Sequence, residues 1–170
     1  MSLDNEIYYI VDKNDCVIGQ ASRKYIHKNK LLHRSVYILV FNSLKHLFLQ
    51  KRSLCKDESP GLWDVSCAGH VDAGESYVHC AHRELFEELN IQTTLKPFIK
   101  ITARQETHGE HVQVYKCVTD DVIKINPKEI SEGAFFEFSQ IQEKLSINPT
   151  QFTSSFKFLF NKMQINENKY

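Results

Sequence analysis

Gly69-His70-Val71-Asp72-Ala73-Gly74-Glu75 leads, after seven further residues, into Arg83-Glu84-Leu85-Phe86-Glu87-Glu88-Leu89-Asn90-Ile91. Ser76 to Leu89 reads as a helix, because Val78, Ala81, Leu85 and Leu89 recur at helical spacing as one apolar stripe. At about 100° per residue, Glu84, Glu87 and Glu88 share one face, beside the stripe and not on it. Like charges at this spacing repel, and the negative end of the helix dipole adds to the repulsion. Arg83 can relieve Glu87 at i+4, but no lysine stands within helical reach of Glu84 or Glu88. Two readings stay open: a solvated acidic face, or oxygen ligands for a hard divalent cation such as Mg²⁺ or Mn²⁺.

The order of the residues adds to the local physics. The stretch resembles the Nudix box, G-x5-E-x7-R-E-U-x-E-E-x-G-U with U aliphatic. Gly69, Glu75, Arg83, Glu84, Leu85, Glu87, Glu88 and Ile91 fall at the required spacing, and only Asn90 stands where the pattern has glycine. Asn is the next choice for a left-handed helix cap, so the loop geometry should survive. The resemblance implies an α/β/α sandwich of the α/β (or α+β) class, with a mixed central sheet and a loop-helix-loop catalytic motif. It also implies Mg²⁺- or Mn²⁺-dependent hydrolysis of a nucleoside diphosphate linked to a group X, or of a related small diphosphate. Glu84, Glu87 and Glu88 would hold metal, and Arg83 and Glu75 would brace them. Glu129 and Glu132, expected in a loop before the last strand, lie where the family often recruits a base.

The flanks resemble one branch of the superfamily, that of isopentenyl diphosphate isomerase. The similarity runs through Leu32 to Phe41, Leu49 to Ser53, Lys56 and Pro60 to Asp64 into Gly69-His70. It implies that Arg52, Lys56, Arg83 and Gly69 meet the diphosphate, and that His33 and His70 match two metal-binding histidines. His27 lies near the third, one residue short in its spacing from His33. The isomerase cysteine directly precedes Gly-His, but that position is Ala68 here, and Cys67 one residue earlier points to the opposite face of a strand. His108, Glu110 and His111 lie near the isomerase's glutamate pair. The expected activity is therefore a hydrolase, with the isomerase and a non-catalytic nucleotide sensor as rivals.

The rest of the chain bounds the answer. Its 170 residues are read as one domain with a hairpin over 6–20, the box over 69–91 and a terminal helix over about 152–165. Lys+Arg and Asp+Glu are both 21, which offers no basic excess for nucleic acid or an anionic membrane. No apolar run approaches the roughly 20 residues that span a bilayer, and Met1 to Glu6 lacks the pattern of a leader. A cytoplasmic protein is expected, with a small diphosphate as partner and room for a homodimer. The five cysteines have no C-x-x-C spacing and read as small apolar residues. Ser22 and Ser139 are expected helix caps, Val36–Phe41 and His46–Gln50 a hairpin, and Trp63, Phe98, Tyr115 and Phe156 core. Arg52 and Lys56 lack an acidic partner at any fixed spacing, so removing either should barely change stability.

Overall fold

A computed structural model describes residues 6–167, and the side chains of 165–167 are not described. The start of the chain, read above for a leader, lies mostly outside those residues. Strands β1 (Ile7–Val11) and β2 (Val17–Ser22) form an antiparallel hairpin, followed by helix α1 (Arg23–Asn29), whose N-cap is Ser22. Strands β3 (His33–Phe41), β4 (Leu47–Arg52), β5 (Trp63–Asp64) and β6 (Cys67–His70) precede helix α2 (Tyr77–Leu89). Strands β7 (Lys96–Ile101), β8 (Glu110–Val118) and β9 (Ile130–Phe136), then helices α3 (Phe138–Ile147) and α4 (Ser154–Glu167), complete the order. No helix among the described residues is long and apolar enough to cross a membrane.

The large sheet is mixed and seven-stranded: β3 runs parallel to β8 and antiparallel to β6, while β4 pairs with β5 and β9. Alternation along β3 builds a core on each face. Val36, Ile38 and Val40 join Cys80, Ala81, Leu85 and Leu89 of α2, whereas Tyr37 and Leu39 join Phe156, Leu159, Phe160 and Met163 of α4. Helices therefore cover both faces, as the α/β/α expectation requires.

Three local expectations need correction. The turn after Phe41 forms, but β3 and β4 pair only at Phe41 with Leu47 and then part company, each having taken other partners. The separation opens a cleft between two halves of one sheet. Val78 is not on the buried stripe of α2; it is exposed, and Cys80 takes its place. Helix α3 is capped by Glu137 in a capping box with Gln140, two residues ahead of the Ser139 expected.

One ion network pins the hairpin to the sheet. Asp15 accepts hydrogen bonds from Arg34 Nε at 2.6 Å, Lys100 Nζ at 2.5 Å and the Tyr77 hydroxyl at 3.0 Å. Burial pushes its carboxyl up, but these donors outweigh it and the net shift is down. Such a carboxyl adds stability above its unfolded pKa of about 4 and loses it as pH falls through the lower folded value. Asp15→Asn should cost about 1.5 kcal/mol at pH 6, the low end for a charged hydrogen bond because Lys100 is half exposed. Melting curves should show the deficit shrinking towards pH 3, and an equal deficit at both pH values would dismiss the network.

Candidate active site

The cleft between β3 and β4 deepens into a cavity of about 220 Å³. Ten carboxylates and only four arginine or lysine side chains line it, so an ion-free cavity carries excess negative charge. Glu84, Glu87 and Glu88 all reach it from α2, whose N-cap is the Ser76 hydroxyl and whose C-cap is Asn90 in the left-handed region at φ 56°. Gly69, Arg52, Lys56, Arg83, His70, Glu58 and Glu129 line it too, whereas Glu75 stands behind Arg83 and does not line it.

The three helix carboxylates do not form the solvated face that helical spacing alone allows. Glu88 is buried at 4% exposure, held by Gln50 Nε2 at 3.3 Å, the Cys67 thiol and the Ala68 backbone N–H. Burial pushes its pKa up to about 7 against the pull of Lys56, and burial together with Glu88 pushes Glu84 up to about 8 against Arg83. Arg83 is the organising cation. It donates to Glu75 through Nε at 3.0 Å and Nη2 at 2.9 Å, to Glu84 at 2.7 Å, to Glu87 at 3.3 Å and to the His70 carbonyl. For Glu75, burial pushes upward but the paired bonds from Arg83 win and lower it.

Gly69 is needed for this arrangement. A Cβ at that position would lie 2.0 Å from Glu84 Cδ and 2.1 Å from its Oε1. Gly69→Ala should therefore displace one flexible carboxylate and leave the fold intact. A loss of about 10- to 100-fold in divalent-metal affinity is expected, the range seen when ligand orientation is disturbed, with little change in melting temperature. Unchanged affinity would free Glu84 from any such role.

A second group gathers on the other wall. His27 from α1, His33 from β3 and His70 from β6 present ring nitrogens within 4.8 Å of one another. Glu110 of β8 stands 3.1 Å from His70 Nε2 and 3.6 Å from His33 Nε2. His33 Nδ1 pairs with the Leu31 carbonyl at 2.9 Å and His27 Nδ1 with Glu58 at 3.1 Å, so the Nε2 atoms of both are left buried without a hydrogen-bond partner. The bond to His27 lowers the Glu58 carboxyl to about 2 against its burial. Two orphaned imidazole nitrogens beside a buried carboxylate fit a divalent transition ion. His27, set aside on spacing, thus belongs with His33 and His70, because the last turn of α1 delivers its ring to them.

Several expectations about the loop residues fail. Arg52 does have an acidic partner: its Nη1 lies 3.3 Å from the buried Asp64, and its Nε donates to the Glu58 carbonyl at 3.0 Å. Lys56 pairs with Glu129. The reason is tertiary, since β4 and β5 pair Gln50 with Asp64 and the polar loop folds back across the cleft. Glu132 sits on β9, not in a loop, and pairs outward with Lys51 at 3.5 Å. His108 lines the cavity, whereas His111 binds the Asp12 carbonyl at 2.9 Å. Trp63, Phe98, Tyr115 and Phe156 do not line the cavity. Cys67 is fully buried in the core beneath α2, and it is Ala68 that lines the cavity. Ser35, Gln50, Glu58 and Asp64 escaped the sequence reading; polar residues at alternate positions, His33-x-Ser35-x-Tyr37, in an otherwise apolar strand were the available signal.

Comparison with known proteins agrees with this geometry. The NUDIX domain family matches residues 31–156. An isopentenyl-diphosphate Delta-isomerase of Pectobacterium atrosepticum is 35% identical over 156 residues, covering 89% of this chain and 87% of that protein. An uncharacterized Nudix hydrolase of Pseudomonas aeruginosa is 35% identical over 133 residues, covering 78% and 79% respectively. The crystal structure of DR0079 from Deinococcus radiodurans shares the fold with a TM-score of 0.74 at 27% identity, over 84% of this chain and 90% of that one. With most of its length matched and a complete acidic helix on a two-faced mixed sheet, this chain belongs to the Nudix family.

Proposed function

We propose that this protein is a divalent-metal-dependent hydrolase of a diphosphate linkage, acting on a nucleoside diphosphate-X or a related small diphosphate. One observation carries the choice over isomerisation. The side chain lining the cavity before Gly69-His70 is the methyl of Ala68, and the Cys67 thiol is turned into the core. Val112, which follows Glu110 on the same face of β8, is buried and apolar. Neither position offers a proton donor at carbon. The isomerase relatives and the histidine group favour the rival reading, but metal sites serve both chemistries.

Glu84, Glu87 and Glu88 would hold Mg²⁺ or Mn²⁺, and His27, His33, His70 and Glu110 a second divalent ion with nitrogen ligands. Such ions neutralise the diphosphate oxygens and supply Lewis acidity. The chain does the remainder. Glu75 fixes the Arg83 guanidinium, which keeps Glu84 and Glu87 in place. Lys56 and Arg83 would supply positive charge for phosphate oxygens, and the missing Cβ of Gly69 leaves room for the Glu84 carboxylate beside them. In hydrolysis a water oxygen would bond to phosphorus as the bridging P–O bond breaks and its electron pair leaves on the departing oxygen, and Glu129 would hold the proton the water gives up.

A panel of nucleoside diphosphate derivatives, with isopentenyl diphosphate in D₂O as a further arm, tests the proposal. Phosphate or nucleotide release should stop in EDTA and return with Mg²⁺ or Mn²⁺. Turnover untouched by chelator, or a deuterated dimethylallyl product, would overturn it. Nucleotide binding without turnover would make the protein a sensor.

A further inference from the structure

The wall of the cavity holds a hydroxyl with nothing to bind. Ser35 lines the cavity and is 2% exposed, yet its Oγ has no hydrogen-bond partner among the described residues. Buried side-chain hydroxyls are nearly always partnered, so an orphan facing a cavity marks a place for something that enters. Among the described residues, the two other buried side-chain atoms left without partners are nitrogens of the histidine group, already accounted for. By strand register Ser35 stands between His70 on β6 and Val112 on β8, next to the histidine group and away from the helix carboxylates.

Its surroundings narrow what could pair with it. The Tyr37 hydroxyl is engaged with Ser155, and Thr153 donates to Asp64 at 2.8 Å, so neither competes for Ser35. The lining includes no tryptophan or phenylalanine, and the Tyr8 ring is already stacked on His70 and His33 at 5.0 and 6.0 Å. The Tyr37 ring is packed into the core on the α4 side at 6% exposure, so a nucleobase would find no exposed aromatic face here. An isoprenyl tail would leave the already buried Ser35 hydroxyl without a partner, whereas a hydroxyl would satisfy it. The volume, about 220 Å³, lies below the roughly 300–1,000 Å³ of pockets for drug-sized ligands.

We infer that the group entering this cavity from the diphosphate is small, hydroxyl-bearing and non-aromatic, and that its hydroxyl pairs with Ser35 Oγ. The inference deepens the hydrolase reading and rests on it for the diphosphate. It assigns Ser35 a part in choosing the substrate and none in bond cleavage.

Binding of two uncleavable probes in Mg²⁺ tests it: the 2-hydroxyethyl and n-propyl esters of methylenediphosphonate, titrated calorimetrically into the whole chain. They differ by a hydroxyl in place of a methyl group. The hydroxylated probe should bind about tenfold more tightly to the wild type, and Ser35→Ala should erase the preference. Because the lost hydroxyl had no partner in the fold, the melting temperature of the variant should hold or rise. Equal or tighter binding of the propyl probe would overturn the inference, as would a preference that survives in Ser35→Ala or failure of both probes to bind. A hydroxyl preference in a protein that cleaves no diphosphate would retain Ser35 as the selector while removing the hydrolase reading alone.

Discussion

Glu88→Gln should lower hydrolytic activity by about 10²-fold or more, while the melting temperature of the metal-free protein holds or rises. The activity term follows from charge. An ion that stabilises a phosphoryl transition state contributes several kcal/mol, and each 1.36 kcal/mol lost is about tenfold in rate. The stability term follows from burial. With its carboxyl pushed up to about 7, Glu88 must ionise inside the protein above that pH, at a cost to folding. A carboxyl raised on folding destabilises once pH exceeds its unfolded value, and increasingly up to the folded value. The glutamine variant should thus gain more at pH 8 than at pH 5, and the Gln50 amide can turn to suit the new side chain. The safety of this substitution does not come from a position on the solvated face, since the side chain lies at 4% exposure. Wild-type turnover in the variant, or in excess chelator, would contradict the assignment.

Arg52→Ala should unfold the protein roughly 6–12 °C earlier than wild type. Asp64 is buried, and its carboxyl is already raised by that burial in spite of Arg52, Thr153 and the Val65 N–H. Removing one partner of a buried pair costs about 3–5 kcal/mol; the 16% exposure of Arg52 and protonation of Asp64 set the lower end. At about 2–4 °C per kcal/mol for a chain of this size, that gives the stated range. Arg52→Ala combined with Asp64→Asn should recover most of the loss, because asparagine can still accept from Thr153 with no charge left over. Thermal melts of the single and double variants decide it. An unchanged single variant would return Arg52 to the role of an exposed phosphate contact.

Arg52 also shows what kind of information a sequence carries. The acidic helix was legible because its signals are local: an apolar stripe at helical spacing, an Asn90 stop, carboxylates at i, i+3 and i+4. The one-residue shift between Cys67 and Ala68 was legible too, because strand alternation is local. What could not be read were pairings set by register between distant segments. Lys56 meets Glu129, and Arg52 meets Asp64, only because β4 is bordered by β5 and β9. Whether Glu88 faces water or interior depends on Gln50, brought beneath α2 by the sheet. His27 failed a spacing test that measures chain length, whereas the cluster depends on where a helix ends. Val78 matched the apolar period, but at the start of α2 it is Tyr77, Cys80 and Ala81 that turn to the core.

The N-terminal hairpin and α1 precede the matched family segment, which begins at residue 31. Yet Tyr8, Arg23 and His27 come from them, and the backbone tie from Ala73 N to Ile7 O at 2.8 Å fixes them to the approach of α2. Part of the cavity wall, and one of its three clustered histidines, is therefore built by residues that precede the matched segment. Substitutions among those early residues can reshape one side of the cavity while every carboxylate of α2 keeps its place.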